Sequence, residues 1–422
     1  MQRDLIKTAI LEWQTPHVIA PNVQRKLFVN LDAMIRSELI VIITGVRRCG
    51  KSILLQHIRQ QKKENHYYLN FEDERLVHFT VDDFQMMMEI FIELFGEAKT
   101  CYFDEIQNIL GWERFVRRLH EQGYKIFVTG SNAKMLSQEL GTHLTGRYVK
   151  IELYPFSFTE FLAYKNIAQN TSHAITAVKA KLNGAMKKYI QLGGFPQYLK
   201  EELLEYLQSL YESILYRDIV SRYRLPNDQI IRELVFYLAS NVGKEMTFNA
   251  LRKQLHLGAV NTVSEYCQYL ENCFLFFLVK RFSHSIKVQS HSPKKIYAVD
   301  TGLARAIGFR SSDDFGRMLE NIIYIELKRR GFEIYFHREK KECDFVVCKQ
   351  NKIKMLIQVC LDIDDSVTRA REIDGLMDAM SHHHMTQGII ITLSDSETVH
   401  VEIQNKRCHI EIIPVWRWLT TE

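Results

Sequence analysis

The chain has 422 residues, 46% hydrophobic and 25% charged, with 7 prolines; 55 basic residues against 50 acidic ones leave a net charge of +5. That length suits several domains of about 150 residues rather than one, and that composition excludes long disordered or low-complexity tracts. So small a surplus of charge permits an anionic partner without demanding one.

Residues 1–38 read as a helical lead-in broken at Pro16 and Pro21. From 39 to 156 apolar strands (39–44, 66–70, 100–104, 125–129, 148–153) alternate with amphipathic stretches such as 81–95 and 112–122, which predicts an α/β domain with a mainly parallel sheet. Residues 157–226 turn helical, interrupted by Gly193-Gly194-Phe195-Pro196. Over 227–312 short helices precede strands at 275–281 and 294–299 around a polar loop, the order of a winged helix-turn-helix. Residues 313–422 alternate again: a helix at 315–330, strands at 333–337, 345–348 and 354–359, a helix, and a strand at 388–393. This predicts a separate small α/β unit.

Eight cysteines (Cys49, Cys101, Cys267, Cys273, Cys343, Cys348, Cys360, Cys408) lack C-x-x-C spacing, which fits reduced, buried thiols better than a disulfide framework or a zinc site. The longest apolar run, 273–279, suits a buried strand and is too short to cross a membrane. Arg3, Asp4, Lys7 and Glu12 interrupt the first residues, so no signal-peptide core is expected there and the expected location is cytoplasmic.

Residues 45–52 read G-V-R-R-C-G-K-S, the pattern G-x-x-x-x-G-K-[ST], directly after the apolar run 39–43. A buried strand ending in a glycine-bearing loop that opens a helix is what a phosphate cradle needs. The backbone N–H groups of Gly45, Val46, Arg47, Arg48, Cys49, Gly50, Lys51, Ser52 and Ile53 are expected to wrap phosphate oxygens, aided by the helix N-terminus. Lys51 is expected to reach the β/γ-phosphates and the Ser52 hydroxyl to ligate Mg2+, with ATP as the nucleotide. Arg47 and Arg48 add electrostatic support beside the anion, or pair with acidic neighbours.

Residues 100–105, T-C-Y-F-D-E, form an apolar strand ending in two carboxylates. Asp104 is placed to hold the Mg2+ shell and Glu105 to orient and deprotonate the attacking water. The next strand ends in Thr129-Gly130-Ser131-Asn132, where Ser131 or Asn132, and less so Thr129, can stand between the γ-phosphate and that water. The same residues read equally as the cap of a helix over 133–140. Arg147, in Leu144-Thr145-Gly146-Arg147, is a cation that could neutralise the transferred phosphoryl group, within its own subunit or from a neighbour in a homo-oligomer; a surface salt bridge is its other reading.

Together with Tyr154-Pro155-Phe156-Ser157-Phe158-Thr159-Glu160-Phe161, Tyr216-Arg217-Asp218-Ile219, Asp300-Thr301-Gly302-Leu303, Glu342-Cys343-Asp344-Phe345-Val346 and Ile357-Gln358-Val359-Cys360, these motifs resemble the prokaryotic AAA-type (ASCE-class) P-loop ATPases that carry a DUF4143 domain. The resemblance implies ATP binding and hydrolysis, a winged-helix segment and a C-terminal region of restriction-endonuclease-like fold. It supplies no substrate.

A nuclease of that fold uses an acid on a helix, an Asp opening a strand and a Glu/Gln-x-Lys on the next strand. Glu320 or Glu326, Asp344 and Gln358 fill the first positions, but Cys360 stands where the lysine belongs, so cleavage is not expected. In the winged-helix segment the second helix, from Thr262 to about Cys273, holds Glu265 and Glu271 and no Lys or Arg. The wing gathers Lys280, Arg281, Lys287, Lys294 and Lys295 with His284 and His291. DNA would therefore be met through phosphates at the wing, unless the segment is a connector with a solvated basic loop. The expected function is ATP hydrolysis driving a switch or motor on a nucleic-acid or protein partner. The alternative is a slow nucleotide-gated scaffold or signalling module with an inactive nuclease-like domain.

Overall fold

The five residues of β1 (Ile40–Thr44) are buried on both faces, as the unbroken run of β-branched residues requires. In the computed structural model, which describes residues 1–15, 23–27, 31–62, 64–131, 144–168, 176–309 and 314–421, this strand lies inside a five-stranded sheet. Its other members are β2 (His66–Asn70), β3 (Thr100–Asp104), β4 (Lys125–Gly130) and β5 (Tyr148–Glu152), in the order β2-β3-β4-β1-β5 with every pairing parallel. Parallel neighbours need crossovers, and the helices Lys51–Gln61, Phe84–Phe95 and Trp112–Glu121 supply them. The helix Arg3–Gln14 buries Ile6, Ala9 and Ile10 against this core, and Phe84 stacks on Phe115 with ring centroids 4.0 Å apart.

Two compact units divide the chain: Met1–Tyr154 with Asn272–Phe274, and Pro155–Glu271 with Leu275–Glu422. The second opens on the helix Phe158–Tyr164, held by a reciprocal cap in which the Ser157 hydroxyl accepts from the Glu160 N–H and the Glu160 carboxylate accepts from the Ser157 N–H at 2.7 Å. The helices Gln229–Ser240, Phe248–Gln254 and Val260–Asn272 follow, with a three-stranded antiparallel sheet β6-β8-β7 built from β6 (Glu245–Met246), β7 (Phe276–Lys280) and β8 (Lys294–Ala298).

The C-terminal part is a six-stranded mixed sheet, β13-β14-β12-β11-β10-β9. Its strands are β9 (Glu333–Arg338), β10 (Glu342–Lys349), β11 (Lys352–Val359), β12 (Gln387–Thr392), β13 (Glu397–Ile403) and β14 (Lys406–Pro414), joined by the helices Phe315–Arg329 and Ser366–His382. β11, β12 and β14 pair parallel and the other neighbours antiparallel. The α/β class with a parallel-sheet core and a separate mixed sheet is as the sequence predicts, but β13 and β14 were not expected. Their alternate residues are exposed or half-buried polar groups, which hides them from a search for apolar runs.

The basic wing needs correction. Lys294 and Lys295 are only 8% and 2% exposed, because β8 is the central strand of its sheet. The segment before it carries a helix, Ile286–His291, rather than an open loop. Lys280 and Lys287 remain exposed and Arg281 half-buried. Glu271 also turns inward, accepting from the Leu278 N–H at 3.0 Å. Among the described residues no helix is long and apolar enough to cross a membrane.

Candidate functional site

The order β3-β4-β1 brings three strand ends side by side at the carboxyl edge of the parallel sheet, where ligands of open α/β sheets bind. From the end of β1 the chain turns through Gly45, Arg48 (φ 65°) and Gly50 (φ 104°). A Cβ on Gly45 would stand 2.0 Å from the Leu153 carbonyl oxygen, so only glycine fits that approach. Gly50 then opens the helix Lys51–Gln61, whose first N–H groups have no partner within the helix. The Cys49 thiol donates to the Leu153 carbonyl at 3.3 Å, while Arg25 donates to the carbonyls of Cys49 (2.7 Å) and Tyr154 (2.6 Å).

Lys51 is 4% exposed; its ammonium donates to the Val46 carbonyl at 3.3 Å and lies 3.5 Å from Glu105 Oε1. Asp104, fully buried at the end of β3, accepts from the Thr129 hydroxyl, from the Tyr68 hydroxyl at 3.2 Å and from the Ser52 hydroxyl. Burial pushes its carboxyl up to about 6, helped by the Glu105 charge and opposed by the Thr129 and Ser52 hydrogen bonds and by Lys51. Burial acts the same way on Glu105, but Lys51, a hydrogen bond from the Gln107 amide and the Arg47 charge outweigh it and hold Glu105 below the usual carboxylate range. Glu105 has a left-handed backbone (φ 50°), a conformation costing roughly 1 kcal/mol or more, and its N–H donates to Thr129 Oγ1 at 2.9 Å.

The sequence motifs thus meet: Lys51, Ser52, Asp104, Glu105 and Thr129 form one connected cluster. Ser131, 1% exposed, lies 3.4 Å from the Gln107 amide nitrogen. Asn132 and the helix expected over 133–140 lie outside the described residues. Arg47 pairs with Glu72 at 2.8 Å, Arg48 and Ile53 are exposed, and Val46 and Cys49 are buried. Arg147 is not brought to the cluster: its 40%-exposed side chain pairs with Glu121 at 3.4 Å.

Gln107, Tyr68 and Arg25 were missed: Tyr68 and Arg25 act through contacts between segments far apart in sequence, whereas Gln107 had a signal, two residues after Glu105. Two buried polar atoms here, Thr44 Oγ1 and Gln107 Oε1, have no hydrogen-bond partner among the described residues. Orphaned polar atoms beside a glycine cradle, a lysine and two carboxylates fit a Mg2+-nucleotide.

In the second unit Glu326 pairs with Arg329 (2.6 Å) and Arg330 (3.0 Å), which leaves Glu320 as the helix acid near Asp344. Cys360 is 7% exposed and its thiol is pushed up to about 12, chiefly by burial.

The AAA domain family matches residues 37–162, and a domain of unknown function, DUF8612, matches 183–313, in place of the DUF4143 domain expected from the motifs. The uncharacterized protein MJ1544 of Methanocaldococcus jannaschii is 34% identical over 402 residues, covering 90% of this chain and 88% of its own. An uncharacterized protein of Haemophilus influenzae is 34% identical over 403 residues, covering 91% and 94%. The Walker-type ATPase PABY2304 of Pyrococcus abyssi is similar over 68% of this chain and 98% of its own, at 15% identity and a TM-score of 0.43. The chain belongs to the family that these archaeal and bacterial relatives represent, and its parallel-sheet unit is an AAA-type P-loop ATPase core.

Proposed function

We propose that the chain binds ATP with Mg2+ at loop 45–52, hydrolyses it, and uses the cycle as a conformational switch or motor on a protein or nucleic-acid partner. The observation that carries this reading is the meeting of Lys51, Asp104 and Glu105 beside the glycine loop, with Glu105 kept ionised by Lys51 and Gln107. Lys51 exchanges its Glu105 contact for phosphate oxygens, while the loop N–H groups from Gly45 to Ile53 cradle the rest of the chain of phosphates. Ser52 and Asp104 hold the Mg2+, which supplies Lewis-acid polarisation of the phosphoryl oxygens when bound. Glu105, freed of Lys51 and oriented by Gln107, takes the proton of the attacking water; Ser131 or Asn132 positions that water. Arg147 acts from a second copy of the chain, a homo-oligomeric reading supported by its exposure away from the cluster in its own subunit.

The test is steady-state ATP turnover of Glu105→Gln against wild type. Turnover collapsing while nucleotide affinity stays within about threefold supports the assignment; retained turnover would show a different base.

A second reading, a slow nucleotide-gated scaffold whose endonuclease-like domain does not cut, is favoured by the buried Cys360 thiol in place of the lysine. DNA contact, if part of the function, falls to Lys280, Arg281 and Lys287 of the winged-helix-like segment, since Lys294 and Lys295 are buried. ATP turnover with and without DNA separates the two readings: strong stimulation supports a nucleic-acid motor, slow unaffected turnover the scaffold.

A further inference from the structure

Lys295 lies at the centre of the acidic groups that an endonuclease-like site would use. Its ammonium is 2.7 Å from Asp344 Oδ1, 2.8 Å from Glu342 Oε1 and 3.0 Å from Glu320 Oε1, and the residue is 2% exposed. The arrangement follows from strand alternation. Glu342 and Asp344 are two apart on β10 and share a face, as Lys295 and Tyr297 do on β8. The Tyr297 hydroxyl donates to the same Glu320 oxygen at 2.5 Å.

Both Asp344 oxygens, both Glu342 oxygens and one Glu320 oxygen, all of which could ligate a metal, are already engaged. Asp344 Oδ1 accepts from Lys295, and its Oδ2 accepts from the Val359 N–H at 2.9 Å. Glu320 Oε1 accepts from both Lys295 and Tyr297. Gln358 Oε1 accepts from the Asp344 N–H at 3.1 Å while its amide group donates to Glu372 at 2.5 Å, and Arg338 donates to the other Glu342 oxygen. Burial acts to lower the Lys295 ammonium, but Asp344, Glu320, Tyr297 and Glu342 hold it well above its ordinary value, so it keeps its charge. Without it the buried Glu320 and Asp344 carboxylates would face each other with no ion-pair partner among the described residues, an arrangement far costlier than the paired one.

We propose that Lys295 is the resident cation of this cluster, an ammonium standing where a metal-dependent phosphodiesterase would take a divalent ion, so that the C-terminal unit takes no divalent cation while Lys295 is in place. The substitution is complementary to Cys360: the lysine missing from β11 is not supplied as a helper beside a metal but as the metal's replacement. This is independent of the ATPase reading, and the experiment uses nucleotide-free protein so that the two fail separately.

Mn2+ binding to the full chain is followed by the electron paramagnetic resonance of free Mn2+. Wild type and Asp344→Asn are expected to bind alike, Lys295→Met to gain one site per chain at least tenfold tighter than any in wild type, and Lys295→Met/Asp344→Asn to lose it. An Asp344-dependent Mn2+ site in the wild type, Mn2+-dependent DNA cleavage abolished by Lys295→Met, or a folded Lys295→Met with no new site overturns the proposal. If Lys295→Met does not fold, acetylation of the wild-type chain decides: Lys280 and Lys287 are expected to be labelled and Lys295 spared, with millimolar Mn2+ or without. Labelling of Lys295 that Mn2+ induces would show the ion displacing it, against the proposal.

Discussion

Lys51 and Lys295 are both buried ammoniums facing carboxylates, and they differ in what is left unsatisfied around them. Lys51 lies 3.5 Å from the Glu105 carboxylate, and two buried polar atoms of its neighbourhood, Thr44 Oγ1 and Gln107 Oε1, have no partner among the described residues. Lys295 meets three carboxylates within 3.0 Å, and both oxygens of Asp344 and of Glu342 there carry a partner. A polar cluster with unmet capacity is shaped for something that arrives; a saturated one has its charge built in. The same two residue types therefore leave polar capacity open in one unit and largely satisfied in the other.

The strongest way to break this contrast is to disarm Glu105. Glu105→Gln should lower kcat for ATP by about 10²–10⁴-fold, with ATP affinity near wild type by equilibrium binding. Next comes stability. Lys295→Ala removes one partner of a buried pair and should cost about 3–5 kcal/mol in urea unfolding of nucleotide-free protein, whereas Lys51→Ala, whose contacts to Val46 and Glu105 are longer, should cost about 1 kcal/mol. Equal costs would erase the distinction between a poised and a structural lysine. Gln107→Ala should lower kcat by about 10–100-fold with little change in stability, because the amide orients Glu105 and leaves one of its own atoms unpartnered; a change in KM alone would argue against that positioning role.

The smallest expected effect sets the pH for these measurements. The His383 imidazole is pushed down to about 4 by burial and then by His337, His382 and His284. Its folded value lies below the ordinary one of about 6.5, so the unfolded chain takes up the proton first and stability is lost as pH falls from about 6.5 through 4. The melting temperature should decline over that window, by an amount discounted for the ring's partial exposure, and His383→Gln should flatten the decline.

How legible all this was depended on whether the signal was contiguous. The phosphate loop and the Asp104-Glu105 strand end declare themselves because the residues that act together are neighbours in sequence. Tyr68 and Arg25 meet their partners only through the fold. Lys294 and Lys295 were misplaced because paired lysines after a polar stretch read as a solvated wing, while β8 draws them into the middle of a sheet. The hairpins β10–β11 and β13–β14 both turn on Gln-Asn with positive φ at each residue (53° and 59°, 51° and 59°), so the chain uses the same two-residue turn twice, without the Asn-Gly that usually announces it.

The Cys49 and Arg25 contacts at the far side of the phosphate loop have a mechanical consequence. Leu153 and Tyr154 are the last two residues before the second unit begins at Pro155, and their carbonyls are tied to the loop by the thiol and the guanidinium. Gly45 presses on the same Leu153 oxygen without room for a methyl group. Displacement of the loop backbone therefore strains the peptide at 153–154 directly, through the Cys49 thiol, the Arg25 guanidinium that bridges Cys49 and Tyr154, and the steric stop at Gly45.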